Sequence, residues 1–238
     1  MLATLFYIHY QNYQMKINDN IEITNEDNML LMARYPDKYF DLAVVDPPYG
    51  IKRFSVNHNR KEGSKYRKSM QKICDNAHRF NNEKPKPEYW NELKRISKAQ
   101  IIWGANNFNL PETEYFLIWN KEQTVENFAS AELAFVYGIK KPAKVFTYQI
   151  HKHNSQKTTN HSSEKPVSLY EFIFKYYAQK DFKIIDTHLG SGNIAKAIDK
   201  MNKIDKMNLS LVACEIDTDY FNDSIKNIKL ETAQKAMF

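Results

Sequence analysis

Residues 182–198, "FKIIDTHLGSGNIAKAI", have the pattern of a buried strand, a tight glycine turn and a helix. The apolar run ends at Asp186, Gly190 and Gly192 fall in the turn, and helical spacing begins near Asn193. Glycines in such a turn allow positive φ angles and let the backbone approach a ligand closely. The unpaired N–H groups at the start of the helix would face that ligand. The stretch therefore predicts a ligand-binding strand–turn–helix unit.

The rest of the chain alternates between strand and helix patterns. We predict strands at 21–24, 40–46, 99–105 and 209–217, further apolar segments at 114–120 and 131–138, and helices at 28–35, 89–96, 165–179 and after residue 217. This alternation predicts an α/β fold with a doubly wound, mainly parallel sheet. The stretches 51–88 and 139–160 fit it least well, and we interpret them as small insertions.

Glu215, which follows the predicted strand after the glycine turn, limits the class of ligand that this unit could bind. "LSLVACEID" (209–217) places Glu215 at a strand end, where a carboxylate is suited to two ribose hydroxyls. No Gly-Lys-Ser/Thr follows the glycine turn, which argues against a phosphate loop. A dinucleotide fingerprint is disfavoured because its third glycine is missing and Asp186 would face the pyrophosphate. The glycine turn with its two acids favours a zwitterionic nucleoside as ligand, because a carboxylate would stabilise the positively charged amino group of such a ligand.

A second stretch, "DLAVVDPPYG" (41–50), ends a strand in a rigid corner. Pro47 is restricted by its own ring and by Pro48, so the corner is extended rather than helical. Neither proline has an N–H, and the corner therefore offers only acceptors, which are carbonyl oxygens and the Asp46 carboxylate. The exocyclic amine of a nucleobase has two hydrogens to donate and fits these acceptors, and Tyr49 offers a flat face for the base.

The net charge of +6 is unevenly distributed along the 238 residues. Residues 51–90 carry +7 and residues 140–160 carry +5, which leaves −6 for the rest of the chain. Two basic segments on a slightly acidic body are typical of a surface that binds a polyanion, and solvated lysine-rich loops have the same composition.

Other features of the composition bear on location. The start of the chain lacks the features of a signal peptide, and no window approaches the roughly 18 apolar residues of a membrane span. The two cysteines, Cys74 and Cys214, have no pairing or metal-ligand pattern. We therefore expect a cytoplasmic protein with no membrane partner and no metal site.

Three motifs resemble those of amino-group DNA methyltransferases of the β type, in which the catalytic motif precedes the cofactor loop. "DPPY" at 46–49 looks like their catalytic motif, "HSSEKP" at 161–166 resembles the segment before the loop, and "DTHLGSGN" at 186–193 is similar to the loop itself. "EDNMLLMARYPDKYFDLAVVDPPYGI", "NELKRISKAQIIWGANNF" and "LIWNKEQTVENFASAELAF" further resemble small phage-type and prophage-type adenine methyltransferases. The resemblance spans about residues 15–228, with a departure at Asn193, where the family more often has threonine.

The resemblance implies a Rossmann-like fold that binds S-adenosylmethionine, with a permuted motif order. The catalytic domain would comprise residues 15–50, 89–138 and 161–238, with basic insertions for DNA recognition at 51–88 and 139–160 and an N-terminal extension at 1–14. The catalytic residues would be Asp46, Pro47, Pro48 and Tyr49. The cofactor-binding residues would be Asp27, Asp46, Lys165, Asp186, Leu189, Gly190, Ser191, Gly192, Asn193 and Glu215.

Within that set, Asp27 would lie near the adenine of the cofactor and Lys165 near its carboxylate. We interpret Glu164 as structural. Trp103 and Trp119 fit core aromatics better than base-stacking groups.

The activity implied is methyl transfer to N6 of adenine in a specific sequence of double-stranded DNA, after the base has swung out of the duplex. Transfer to N4 of cytosine, transfer to adenine in RNA, and a catalytically inactive nucleic-acid-binding paralogue stay open as alternatives. Asp46 favours adenine, because the cytosine enzymes of the family more often have serine there. Intact Asp46, Tyr49, Asp186 and Gly192 argue against lost catalysis. A homodimer and a companion restriction endonuclease are compatible with this family.

Overall fold

The computed structural model of the chain describes residues 14–50, 83–123, 129–150 and 164–234. Most of the two basic stretches lies outside these described residues. The same holds for the chain before residue 14 and for the first three residues of "HSSEKP". The described residues form a mixed β-sheet with helices on both faces.

The sheet has a parallel centre and antiparallel flanks. Its described strands are β1 (Gln14–Asn18), β2 (Ile21–Thr24), β3 (Phe40–Val45), β4 (Ser97–Trp103), β5 (Phe116–Asn120), β6 (Ala131–Tyr137), β7 (Val145–Thr147), β8 (Lys183–Asp186) and β9 (Ser210–Cys214), in the order β1-β2-β9-β8-β3-β4-β6-β5-β7. From β2 to β4 every neighbouring pair is parallel. By contrast, β6 is antiparallel to both β4 and β5, and β1 is antiparallel to β2. The predicted, mainly parallel sheet is therefore confirmed.

The two edge strands, β1 and β7, were not predicted from the sequence. β1 pairs with β2, and β7 pairs with β5 through Ile118–Asn120 and Val145–Thr147. Because β7 lies within 139–160, part of that basic stretch belongs to the sheet.

Helices cover both faces of the sheet, as expected for a doubly wound fold. They are α1 (Asn28–Ala33), α2 (Pro87–Ile96), α3 (Val167–Tyr177), α4 (Asn193–Ile204) and α5 (Thr218–Gln234). Side chains alternate along β3, so that Leu42 and Val44 join the core under α3, α4 and α5, whereas Ala43 and Val45 join the core under α1 and α2. Burial of both faces explains why β3 reads as a continuous apolar run.

The strand order brings the two predicted motifs to one edge of the sheet. β3 and β8 are parallel neighbours, with Leu42 opposite Ile184 and Ala43 opposite Ile185. Asp46, directly after β3, and Asp186, the last residue of β8, therefore emerge at the same edge. Ligands of open α/β sheets bind at this carboxyl edge.

Two further expectations concern the core and the membrane. Trp103 and Trp119 are 0% and 1% exposed, which confirms them as core aromatics. Among the helices that the structure describes, none combines the length and the hydrophobicity of a membrane span.

Candidate active site

Asp46 lies at the end of β3 with both carboxylate oxygens engaged. The Tyr49 hydroxyl donates to Oδ1 at 2.6 Å, and the Lys165 ammonium donates to Oδ2. The ammonium also lies 3.3 Å from the Tyr49 hydroxyl. Each carboxylate oxygen has a further lone pair, so Asp46 is still able to accept hydrogens from a ligand. The sequence predicted a stacking face for Tyr49 and missed its hydrogen bond to Asp46.

The Tyr49 ring lies against Gly104, directly after β4. A Cβ at Gly104 would lie 2.1 Å from Cε1 of Tyr49, and the φ angle of Gly104 is +71°. The Phe108 ring meets the Tyr49 ring edge-on, with their centroids 6.0 Å apart. Because Gly104 has no side chain, it leaves room for the Tyr49 ring. This role was not predicted from the sequence.

The glycine turn is held by backbone hydrogen bonds and by close packing. Gly192 has a φ angle of +77°, and a Cβ there would lie 2.7 Å from Cδ1 of Ile228 on α5. Glu215 Oε2 accepts a hydrogen bond from the Gly190 N–H at 3.0 Å. Leu189 and Ser191, also assigned to this turn, are buried. The turn is thus tied to the end of β9 through the predicted acid.

Asn193 connects the glycine turn to Lys165. Its side-chain amide donates to Glu164 Oε1 at 2.6 Å and to the Lys165 carbonyl at 2.8 Å. These contacts support the structural interpretation of Glu164. Asn193 Oδ1 is buried without a hydrogen-bond partner in the structure. Because the side chain of Lys165 binds Asp46 and its backbone binds Asn193, the two motifs belong to one site.

A row of aromatic rings runs from the proline corner to the glycine turn. Phe108 lies 5.0 Å from Trp90, Trp90 lies 4.8 Å from Tyr89, and Tyr89 lies 5.4 Å from His188, measured between ring centroids. Burial lowers the pKa of His188 to about 3, so this ring is neutral at physiological pH. The sequence missed the row because Tyr89 and Trp90 fall on a helical pattern that reads as core.

The charged groups of the site are strongly perturbed. Burial raises the pKa of Asp186 to about 8, and it also raises the pKa of Glu215 and of Asp46. The positive charge of Lys165 lowers the pKa of Asp46 and so opposes the effect of burial. Burial disfavours the charge of Lys165, but Asp46 and Glu132 outweigh it and raise the lysine pKa. A protonated lysine therefore lies among several acids, and the site is well suited to a further cation.

Glu132 is a second acid at Lys165, and the sequence analysis did not find it. It lies on β6, with Oε2 at 3.2 Å from the Lys165 ammonium, while Oε1 accepts a hydrogen bond from Lys121. The available signal was a lone charge in "AELAFVYG", which we interpreted only as a further apolar segment.

The remaining predicted residues lie around this centre. Asp27 is exposed and caps α1 by accepting from the Met29 N–H at 2.7 Å, and its predicted contact with adenine stays a prediction. Pro47 is buried and Pro48 is half-buried. Among the described residues, no group of three or more His, Cys, Asp or Glu is arranged to hold a metal ion.

The doubly wound sheet brings the proline corner and the glycine turn together at its carboxyl edge. A family model described as DNA methylase, for N6 and N4 methyltransferases, matches residues 81–226, more than half of the chain. The chain belongs to this DNA methylase family. The match begins after Asp46–Tyr49, so the likeness of that corner to the family's catalytic motif stays a prediction.

Solved structures share the fold at low sequence identity. The crystal structure of the M1.HpyAVI–SAM complex superposes with a TM-score of 0.55 at 14% identity, covering 87% of this chain and 98% of that chain. PvuII DNA methyltransferase (cytosine-N4-specific) superposes with a TM-score of 0.52 at 10% identity, covering 91% of this chain and 93% of that chain. No curated protein matches this chain in sequence. The likeness establishes a Rossmann-like methyltransferase fold.

We expect Gly104→Ala to destabilise the protein by about 1–3 kcal/mol, because the left-handed backbone is strained for alanine and the new methyl group displaces the Tyr49 ring. In a Tyr49→Ala background the same substitution should cost less, since the ring is gone. Urea unfolding of the four proteins measures both costs. Equal costs in the two backgrounds would contradict this contact.

We expect Asp186→Asn to flatten the dependence of stability on pH. The pKa of Asp186, about 8, is higher than in the unfolded chain, so the native state holds one extra proton between about pH 5 and 7. This proton makes the free energy of unfolding fall by about 1.4 kcal/mol per pH unit as the pH rises, and asparagine removes that contribution. Urea unfolding across this range, with Asp37→Asn as an exposed control, measures the slopes. An unchanged slope in Asp186→Asn would show that Asp186 is already ionised.

Proposed function

We propose that this chain transfers a methyl group from S-adenosylmethionine to the N6 amino group of adenine in DNA. The observation that carries the proposal is the arrangement of Lys165, whose side chain binds Asp46 and whose carbonyl binds Asn193. This arrangement places an acceptor-only corner beside a glycine turn, in a chain of the DNA methylase family.

The glycine turn fits the cofactor in charge and in shape. S-adenosylmethionine carries an ammonium and a sulfonium, and both cations suit the buried Asp186 and the half-buried Glu215. A side chain at Gly192 would meet Ile228, so the turn keeps its close backbone path. The structural neighbour M1.HpyAVI was solved as a SAM complex, in agreement with this choice.

Three residues have finer assignments by resemblance. Asp27 would contact the adenine of the cofactor, and Glu215 its ribose hydroxyls. Lys165, now bound by Asp46 and Glu132, would reach the cofactor's carboxylate.

The corner at Asp46 would activate the amine of the target base. This amine is a poor nucleophile because its lone pair is delocalised into the ring. Asp46 and the Pro47 carbonyl accept its two hydrogens and so favour the pyramidal form in which the lone pair is available. The cofactor supplies an electrophilic methyl group, whose C–S bond breaks with its electron pair on sulfur as the C–N bond forms.

The stabilisation by Asp46 grows as the reaction proceeds. Positive charge develops on the amine nitrogen, and Asp46 faces that nitrogen with its carboxylate. An interaction that strengthens in the transition state accelerates the transfer rather than only tightening binding. The amine then releases one proton to solvent.

The DNA would be held by the basic stretches 51–88 and 139–160. In the described part, Lys140, Lys141 and Lys144 are exposed. Lys141 donates to the Tyr176 carbonyl at 2.7 Å, and the Lys144 ammonium lies 4.6 Å from the centroid of the Tyr176 ring. Phosphate binding by lysines weakens steeply with salt. Extruding the base costs a few kcal/mol, which stacking on Tyr49 would partly offset.

The choice of base is the finer part of the proposal. Asp46 favours adenine by resemblance, whereas PvuII DNA methyltransferase, which shares the fold, is cytosine-N4-specific. Adenine in RNA and an inactive paralogue are the remaining alternatives, and intact Asp46 and Tyr49 speak against the latter. A specific DNA sequence, a homodimer and a companion restriction endonuclease stay predictions.

The test is transfer of a tritiated methyl group from S-adenosylmethionine to double-stranded DNA, followed by nucleoside analysis. We expect label in N6-methyladenine, and Asp46→Ala should lower the rate by about 100- to 1,000-fold, because a transition-state acceptor is lost. Asp37→Ala, which removes an exposed carboxylate paired with Arg95, is the control and should behave as wild type.

Each other outcome has a definite meaning. Equal labelling by wild type and Asp46→Ala would refute the role of Asp46. Label in N4-methylcytosine would refute the adenine assignment, and labelling of RNA alone would refute the DNA substrate. A wild-type protein that binds DNA and transfers no label would be the inactive paralogue.

A further inference from the structure

Glu132 faces the buried lysine of the site from a strand that carries neither motif. It lies near the start of β6, opposite Trp119 of β5, and its side chain is 22% exposed. Its Oε2 atom lies 3.2 Å from the Lys165 ammonium, buried and outside hydrogen-bond alignment, while Oε1 binds Lys121. The acid therefore has one oxygen on each of two lysines.

The position of Glu132 changes the charge balance at Asp46. Alone, Asp46 and Lys165 form a neutral pair, which would stabilise a growing positive charge on a nearby nitrogen only weakly. With Glu132 on the other side of the lysine, the three groups that interact with one another around Asp46 sum to one negative charge, and Lys121, bound to Oε1 of Glu132, balances it from outside this group. Charges at largely buried positions are screened less than charges at the surface, so Glu132 acts on Asp46, whereas Lys121 is not among the charges that shift the pKa of Asp46.

We propose that Glu132 is a positioning residue for methyl transfer, which holds Lys165 and leaves Asp46 with the excess negative charge that the reacting amine requires. This inference rests on the proposed function of Asp46 as the acceptor of the target amine. Glu132 acts through Lys165 and does not touch the substrate.

The other groups around Lys165 do not supply this charge balance. The rings of Trp103 and Tyr49 lie 5.5 and 5.9 Å from the ammonium and are neutral. Tyr170 of α3 is neutral because burial raises its pKa. Asp186 interacts with Lys165 from β8, on the side of the glycine turn.

The perturbed acidity of Asp46 agrees with this arrangement. Burial raises the pKa of Asp46 most, Lys165 lowers it, and Glu132 raises it. Removing the charge of Glu132 should therefore lower the pKa of Asp46. The acidic limb of the kcat profile, below which Asp46 is protonated, would then move to lower pH.

The test is the pH profile of kcat for Glu132→Gln at saturating cofactor and DNA. We expect kcat at neutral pH to fall by about tenfold or more, and the acidic limb to move to lower pH. A merely structural role would lower kcat at every pH and leave the limb in place, which would overturn the proposal.

A matched control is Glu171→Gln, because Glu171 is 23% exposed and pairs with Lys200 at 2.7 Å outside the site. It should keep the wild-type profile. If Glu132→Gln does not fold, Glu132→Asp tests the proposal instead, because it keeps the negative charge but moves it one methylene farther from Lys165. A severalfold lower kcat with a limb at lower pH supports the proposal, and a wild-type profile overturns it. If the wild-type protein transfers no methyl group to DNA, the proposed function is refuted instead.

Discussion

Lys165 is a buried cation shared by both parts of the site, with only 2% of its side chain exposed. Its ammonium binds Asp46 at the end of β3, and its carbonyl binds Asn193 at the start of α4. A buried ammonium costs several kcal/mol unless it is well paired, so Asp46 and Glu132 must both lie close to it. Lys165 therefore links the proline corner to the glycine turn at the edge where β3 and β8 end.

The order of the strands makes that pairing possible. β3 and β8 are parallel neighbours, so Asp46 and Asp186 meet at one edge. β6 runs antiparallel to β4, with Ala134 opposite Trp103, and the start of β6 therefore lies at the carboxyl end of β4. This reversal places Glu132 beside Lys165. The antiparallel strand β6 thus adds an acid to this edge of the sheet, and the parallel strands alone would not supply that acid.

The parts that the sequence predicted differ in kind from the parts that it missed. β3, β8 and β9 were predicted because each is a buried apolar run that ends in an acid, and glycines mark the turn at Gly192. β1 and β7 were missed because they are short edge strands with mostly exposed residues. Glu132 and Gly104 were missed because their roles come from contacts between distant segments, with Lys165 and Tyr49 respectively. The lone charge in "AELAFVYG" marks Glu132 as unusual, but no local pattern identifies the distant residue that it contacts.

Asp46, Asp186 and Glu215 lie at one edge of the sheet, and burial raises the pKa of all three, so the charged form of each would be stabilised by a bound cation. The most direct measurement is calorimetric titration with S-adenosylmethionine at about pH 6.5, in two buffers of different ionisation enthalpy. Because the pKa of Asp186 is about 8 in the free protein, cofactor binding should release close to one proton, and Asp186→Asn should release none. Binding without proton release, or no binding heat in either buffer, would contradict the account.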